Sequence, residues 1–181
     1  DNVIIPAINF VAAANVCKRI GANIFFSDIN LDTGQMSPNN LIDCIKKYKL
    51  KTVKVIFTMF LSGAANYTLE FYKLKKKFNF YILEDACHAL GAKYISKKNI
   101  LPVGCAKHCD ISIFSTHPVK SITTGEGGFV STNKFLLYKK MKLLRSHGIA
   151  RHNLPIDYNI LLNGFNYRLS DINCALGFSQ L

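Results

Sequence analysis

Nothing in the chain approaches the roughly eighteen consecutive apolar residues that a membrane-spanning helix needs, so a spanning segment of that kind is excluded. The first residues lack the basic start and the small-residue cleavage pattern of a secretory signal. The expected location is therefore the cytoplasm, with no membrane partner. No Gly-x-Gly-x-x-Gly turn follows an early strand, which leaves a dinucleotide oxidoreductase without support. Internal repeats and low-complexity tracts are also missing. Acidic residues are scarce, eleven against 23 Lys and Arg, for a formal net charge of +12. That balance suits nucleic acid, but the lysines fall in "KKYKLK" and "KLKKKF", on expected helix ends and turns where a solvated face is the plain expectation. No nucleic-acid partner is expected, and an acidic small substrate stays compatible with the charge.

The six cysteines, at positions 17, 44, 87, 105, 109 and 174, do not have the density of a secreted disulfide framework. Cys105, His108 and Cys109, with Cys87 and His88, invite a metal reading. Their spacing matches no common zinc pattern, and the groups would have to converge from separate segments. Reduced thiols and no metal are expected.

What is present is a core. With 49% hydrophobic and 12% aromatic residues over 181 positions, the chain is neither disordered nor fibrous. Apolar strand-like runs recur at "NVIIPA", "ANIFFSD", "TVKVIFT", "FNFYILED", "CDISIFS" and "GGFVST". Helical patterns begin at Ala12, Asn39, Tyr67 and Asn133 and separate many of them. The spacing is that of βαβ units, and the nearly continuous apolar character of the strands suits a mainly parallel sheet covered on both faces. Ser37 before Pro38 predicts a helix start, and Gly21 and Gly148 predict helix stops. "IARHNLPIDYNILLNGF" has weak periodicity and reads as an irregular surface excursion. Asp1 stands at the edge of a strand and "LSDINCALGFSQL" breaks off within a periodic helix, so the chain reads as an internal fragment of a longer protein.

In open α/β sheets ligands gather outside the carboxyl ends of the strands. Two expected strand ends are unusually polar. "FNFYILEDACHA" delivers Glu84, Asp85 and His88, and "CDISIFSTHPVK" delivers Ser115, His117 and Lys120. Taken singly, Asp85 reads equally as a helix cap and Lys120 as an exposed cation. Together with Ser115 and the "TTGEGG" turn they match the needs of pyridoxal phosphate: an amine for its aldehyde, a carboxylate for its ring nitrogen and donors for its phosphate. Lys120, Asp85 and Ser115 take those roles in turn. His88, three residues past Asp85, is in reach of the ring if a helical turn begins there.

The blocks "NVIIPAINFVAAANV", "EDACHALGA", "DISIFSTHPVKSITTGEGGFV", "LLRSHGI" and "GFNYRLSDINCALGFSQL" resemble consecutive signatures of the DegT/DnrJ/EryC1/StrS sugar aminotransferases and cover nearly the whole chain. The resemblance implies a fold-type-I, aspartate-aminotransferase-like enzyme that uses pyridoxal phosphate to aminate nucleotide-linked keto-sugars. It implies Lys120 as the Schiff-base lysine, Asp85 at the pyridine nitrogen, His88 beside the ring and Ser115 on the phosphate. Asn166 matches the residue that reaches the phosphate of a neighbouring subunit, which implies a homodimer with shared active sites; Arg168 lies close to that interface. His117 and the glycines at 125, 127 and 128 shape the turn. Lysine rather than histidine at 120 favours amination over the family's sugar-dehydrating branch. By the same resemblance, the substrates are glutamate and a UDP-linked 4-keto-6-deoxy-N-acetylhexosamine aminated at C4, in pseudaminic acid biosynthesis. Residues 1–181 would be an incomplete large domain, with a phosphate-binding turn and a ring-stacking aromatic before Asp1 and a small C-terminal domain after Leu181.

One segment departs from the family pattern: "FTMFLSG" has Thr58 in place of a proline and Phe60 in place of a histidine. Alternative readings are an aminotransferase for another nucleotide-linked keto-sugar and a catalytically silent, pyridoxal-phosphate-binding regulator.

Overall fold

A computed structural model describes residues 1–151 and 157–181. Along the chain run β1 (Asn2–Pro6), α1 (Ala12–Arg19), β2 (Asn23–Ser27), α2 (Pro38–Lys47), β3 (Val55–Met59), α3 (Thr68–Phe78) and β4 (Tyr81–Asp85). There follow a hairpin of β5 (Lys93–Ser96) and β6 (Asn99–Pro102), then β7 (Ile111–Ser115), β8 (Gly128–Ser131) and α4 (Phe135–Arg145). A ribbon of β9 (Ile149–Arg151) and β10 (Tyr158–Ile160) leads to α5 (Asp171–Phe178).

Six strands form one sheet in the order β2-β1-β3-β4-β7-β8. The pairings are parallel up to β7, and β8 alone returns antiparallel. Alternation along β1 shows why the strands read as unbroken apolar runs. Val3 and Ile5 pack with Phe57, Cys17, Ala13 and Ala14 on the α1 side. Ile4 turns the other way, to Ile56, Ile82, Leu41, Phe71 and Phe80 on the α2 and α3 side. With period-2 side chains and helices on both faces, Val3 to Pro6 are all apolar.

Local signals fix the helix ends. The Ser37 hydroxyl accepts from the Asn40 amide at 3.2 Å, and the Asn40 side chain accepts in return from the Ser37 amide at 3.0 Å, with Pro38 opening α2. Gly21, at φ +76°, follows the end of α1 in the left-handed conformation that glycine adopts without a Cβ penalty.

Asp110, 2% exposed, clamps the far end of β4 and β7. Its carboxylate accepts from the Ile82 amide at 2.7 Å and pairs with Lys75 of α3 and Lys134 at the start of α4. Burial opposes ionisation there, but the two ammoniums and the amide outweigh it and hold the carboxyl below the usual aspartate range.

The segment expected to be irregular holds a two-stranded ribbon, with Ile149 opposite Ile160 and Arg151 opposite Tyr158. The β10 strand is exposed along its length, so no buried-exposed alternation marks it in the sequence. Residues 152–156 of that stretch lie outside the described residues.

Candidate active site

The carboxyl ends of β3, β4 and β7 open into a cleft of about 1020 Å³, at the upper end of the size common for small-molecule sites. Met59, Asp85 and Ser115 close those strands, and all three line the cleft. The chain before α1 adds Phe10, and the loop after β7 adds His117 and Lys120. Four of the five expected site residues, Asp85, His88, Ser115 and Lys120, thus converge.

Ladder register explains the convergence. Asp85 pairs with Met59 on one side and with Ile113 on the other, so its side chain shares a face with Ile113 and, two residues on, Ser115. The Asp85 carboxylate is steadied by the Cys87 amide, which donates to Oδ1 at 3.2 Å. His88, exposed, follows in the same turn. Glu84 points to the opposite face: it is buried, accepts from the Ser112 hydroxyl at 2.6 Å, and burial pushes its carboxyl up against the opposing pull of Ser112 and Cys109. Of the two adjacent acids, Asp85 alone faces the cleft.

The Cys87 thiol reports the local electrostatics. Burial, then its hydrogen bond with Asp85 and that residue's negative charge, push the thiol up to about 12, while the Lys120 ammonium pulls the other way. A thiol so raised stays protonated at neutral pH and is a poor nucleophile. Lys120 itself enters no ion pair or side-chain hydrogen bond among the described residues, which leaves its amine available.

The loop from Thr116 to Gly127 is closed by threonines. Thr116 and Thr124 hydroxyls meet at 2.6 Å, the Thr124 amide donates to the Thr116 carbonyl at 2.9 Å, and the Thr123 hydroxyl donates to the same carbonyl at 3.2 Å. Within it the Lys120 amide donates to the His117 carbonyl at 2.9 Å, a turn that sets the lysine back toward Ser115. The Ser115 hydroxyl oxygen accepts from the His117 amide at 3.2 Å, so its own proton is left for an acceptor in the cleft. His117 Nε2 stands 3.8 Å from Glu126 across the loop mouth. The glycines are needed for close approach: a Cβ on Gly127 would lie 2.4 Å from the Thr124 hydroxyl, and one on Gly128 2.5 Å from the Phe114 carbonyl.

Asn166 is not among the residues that line this cleft. It bridges to Ser146, and its side chain accepts from the Arg168 amide at 3.4 Å, beside a second, smaller hollow lined by His147 and Arg168. Phe10, 73% exposed, lines the cleft as well and was not singled out in the sequence. The strand-end rule that found Asp85 would have found it, since Phe10 follows the carboxyl end of β1 by four residues. Thr58 and Phe60, the departures, are both buried; Phe60 packs with Ala86, Ala89, Val103 and Phe114 behind the cleft.

Of the groups considered for a metal, Cys105, His108 and Cys109 have other partners. Tyr94 Oη lies 2.8 Å from His108 Nδ1 and 3.4 Å from Cys105 Sγ, and Cys109 Sγ lies 3.2 Å from the Ser112 hydroxyl. Among the described residues no three His, Cys, Asp or Glu side chains converge on a common point.

The cleft brings together a carboxylate, an amine without a side-chain partner among the described residues, and a hydroxyl donor, a set that fits pyridoxal phosphate. Known proteins agree with that chemistry. The chain is 42% identical over 179 residues to the UDP-4-amino-4,6-dideoxy-N-acetyl-beta-L-altrosamine transaminase of Campylobacter jejuni, covering 99% of this chain and 45% of that protein. It superimposes on Helicobacter pylori PseC, an aminotransferase involved in the biosynthesis of pseudoaminic acid, with a TM-score of 0.85 and 35% identity, over 99% of this chain and 45% of that one. A Streptococcus pneumoniae protein described as a sugar aminotransferase, in its PLP-form, aligns with a TM-score of 0.82 and 28% identity, over 99% of this chain and 48% of that one. The chain spans about half the length of the curated relatives it matches. Its architecture is that of the fold-type-I transferases, and with residues 1–181 all matching, the chain belongs to the DegT/DnrJ/EryC1/StrS aminotransferase family.

Proposed function

We propose that the protein transfers an amino group from glutamate to C4 of a UDP-linked 4-keto-6-deoxy-N-acetylhexosamine, with pyridoxal phosphate as cofactor, in pseudaminic acid biosynthesis. The observation that carries this reading is the convergence of Asp85, Ser115 and Lys120 at the ends of two adjacent parallel strands. Support for the sugar comes from the relatives named altrosamine transaminase, at 41% and 42% identity over 99% of the chain.

When bound, the cofactor supplies an electron sink and a carrier for the amino group. The chain's residues do the rest. Lys120 Nζ holds the cofactor in the resting protein, takes the proton from the donor's α-carbon and delivers one at the sugar's C4. Asp85 keeps a proton on the ring nitrogen, and its own orientation is held by the Cys87 amide. Ser115, five residues before Lys120, anchors the phosphate so that the reacting carbon stays within reach of the amine. Phe10 and His88, which line the same cleft, would flank the ring. Asn166, outside this cleft, serves the phosphate of a neighbouring subunit, making the working unit a cytoplasmic homodimer with shared sites. Residues 1–181 form part of the cofactor-binding large domain, with the remaining segments of the active site supplied by the rest of the protein.

The test is to give the complete protein, loaded with cofactor and glutamate, a panel of UDP- and dTDP-linked 3- and 4-keto-sugars and to identify products by mass and by configuration at the aminated carbon. The expected product is the 4-amino sugar from the UDP-linked L-arabino 4-keto acceptor. Amination of a different acceptor alone overturns the sugar assignment, and turnover of none by a loaded dimer overturns the enzyme.

A further inference from the structure

The topology gathers about half of the basic residues at one end of the sheet. Strands β1, β3, β4 and β7 begin at the end opposite the cleft, and the helices that join β1 through β4 run back to it. Their last turns therefore end there, in Lys18 and Arg19 of α1, Lys46 and Lys47 of α2, and Lys75, Lys76 and Lys77 of α3. The connection from α2 to β3 adds Lys49, Lys51 and Lys54, and the return from β8 adds Lys134. Acids near this end are Asp1, Asp110 and, one turn before the end of α2, Asp43; Asp110 is buried under Lys75 and Lys134. Asp28, Asp32, Glu70 and Glu126 belong to loops or a first turn at the cleft end, where Asp85 closes β4. Eleven of the 23 Lys and Arg thus gather in a pole at the end of the sheet opposite the cleft.

Helix dipoles account for part of this, because cations favour helix C-termini. They do not account for Lys51 and Lys54, which lie on no helix; Lys134, at the N-cap of α4, is placed by its ion pair with Asp110. Nor do they explain Lys49, which occupies the left-handed conformation after α2 at φ +51°, a position glycine fills at lower cost. The lysines are also held in place. The ammoniums of Lys54, Lys75 and Lys134 lie 5.6, 5.4 and 5.1 Å from the centre of the Tyr81 ring, and Lys47 and Lys77 lie 5.5 and 5.4 Å from those of Tyr48 and Phe78. Set among them are apolar and aromatic tips: Ile20 is 74% exposed, Tyr48 44% and Tyr81 43%.

We propose that this pole is a membrane-surface contact, by which the protein docks on an anionic phospholipid bilayer with Ile20, Tyr48 and Tyr81 at headgroup level and the cleft turned toward the aqueous phase. Two features select a lipid surface over a nucleic acid. Lysine predominates and Arg19 is the one arginine in the set, whereas bidentate phosphate recognition favours arginine; point charges on flexible stems suit a diffuse anionic plane. The interleaved tyrosines and isoleucine match the amphipathic composition of interfacial segments. Such a contact needs no spanning helix, and among the described residues no helix is long and apolar enough to span.

The experiment is co-sedimentation of the full-length protein with vesicles of equal parts phosphatidylglycerol and phosphatidylcholine, and with phosphatidylcholine alone, across a salt series. Binding is expected to the anionic vesicles only, and to weaken with salt. Each lysine near such a surface contributes about fivefold in partitioning. The triple variant Lys46→Gln, Lys47→Gln, Lys77→Gln should therefore lose on the order of a hundredfold, while Lys139→Gln, Lys140→Gln, Lys142→Gln on α4 removes the same charge with a much smaller loss. Circular dichroism confirms that both variants fold. Equal loss from the two triples, or no binding to anionic vesicles by the parent protein, overturns the proposal. Pole-dependent binding to RNA without vesicle binding assigns the pole to nucleic acid and overturns it as well.

Discussion

Asp85 sits directly across the β4–β7 ladder from Ile113, which puts its carboxylate on the same face as Ser115, two residues farther along the neighbouring strand. Two parallel strands in register thereby hold the expected ring-nitrogen partner and the expected phosphate donor at a fixed spacing. If Asp85 acts by stabilising charge that builds during reaction, Asp85→Asn removes an effect absent from the ground state. Turnover should fall by about 10²–10³-fold, the scale of losing one preorganised electrostatic contact, with keto-sugar affinity changed little. Single-turnover amination and equilibrium binding on the cofactor-loaded variant measure the two; near-normal single-turnover rates would remove Asp85 from its role.

Among the described residues Lys120 has no side-chain partner, it lies in a cleft that also holds Asp85, and its backbone is fixed by the turn to His117. Borohydride reduction of the full-length protein, then peptide mass spectrometry, should place the phosphopyridoxyl adduct on the peptide that contains Lys120. Lys120→Arg keeps the charge but supplies neither the attachment nor the proton transfer, and turnover should drop by at least about 10²–10⁴-fold. An adduct found on another lysine would move the catalytic centre.

Much of this was legible in the chain, for reasons that differ by element. The strands β1, β3 and β4 announced themselves because they are covered on both faces, and the polar residues at the carboxyl ends of β4 and β7 stood out against an apolar background. The β5–β6 hairpin did not, because its strands are mostly exposed and its turn is Lys97–Lys98, with Lys97 at φ +58°, rather than the Asn-Gly or Gly-Gly that signals such turns. Which of Glu84 and Asp85 faces the cleft depends on register, and adjacency in sequence cannot decide it. Phe60 read as a lost polar group in the site, and it is a core side chain behind it.

Asp110 makes the fold acid-sensitive. Its carboxyl is held below the ordinary aspartate range, so its contribution to stability is fully present above the unfolded value, about 3.9, and is lost as pH falls through the lower folded value. Replacing it with alanine strands the Ile82 amide in a buried position and releases two lysines from their shared partner. Urea unfolding at neutral pH should show Asp110→Ala less stable by about 1–3 kcal/mol. The gap should close as the pH approaches the folded value of Asp110 in the parent; a gap that is unchanged on acidification would mean that the charge is not its source.

Gly127 tests the threonine closure of the Lys120 loop. An alanine there would press on both members of the Thr116–Thr124 pair, at 2.8 and 2.4 Å. Overpacking of this kind costs about 1–3 kcal/mol, and most of it should appear as weakened cofactor retention rather than global unfolding, because the pair closes the loop that carries Lys120. Cofactor dissociation followed by absorbance, compared with the melting temperature, separates the two. A lowered melting temperature with unchanged cofactor affinity would show that the loop is not what the pair holds.

The position of Asn166 outside the cleft that holds Lys120 leads to the sharpest test of a shared site. Suppose Asn166 serves the neighbouring subunit. A mixed dimer of one Lys120→Ala chain and one Asn166→Ala chain then has one site with both defects and one with neither. If Asn166 instead serves its own subunit, each site carries one defect and none is intact. A two-fold dimer scrambles statistically, so half of the dimers in an equal mixture are mixed, and each has one good site of two. Activity after dissociation and remixing of the two inactive variants should therefore return to about a quarter of the parent value. Differently tagged chains allow the mixed species to be isolated, in which the figure should be about half. Isolated mixed dimers as inactive as either variant alone would place Asn166 in its own subunit's site or in none.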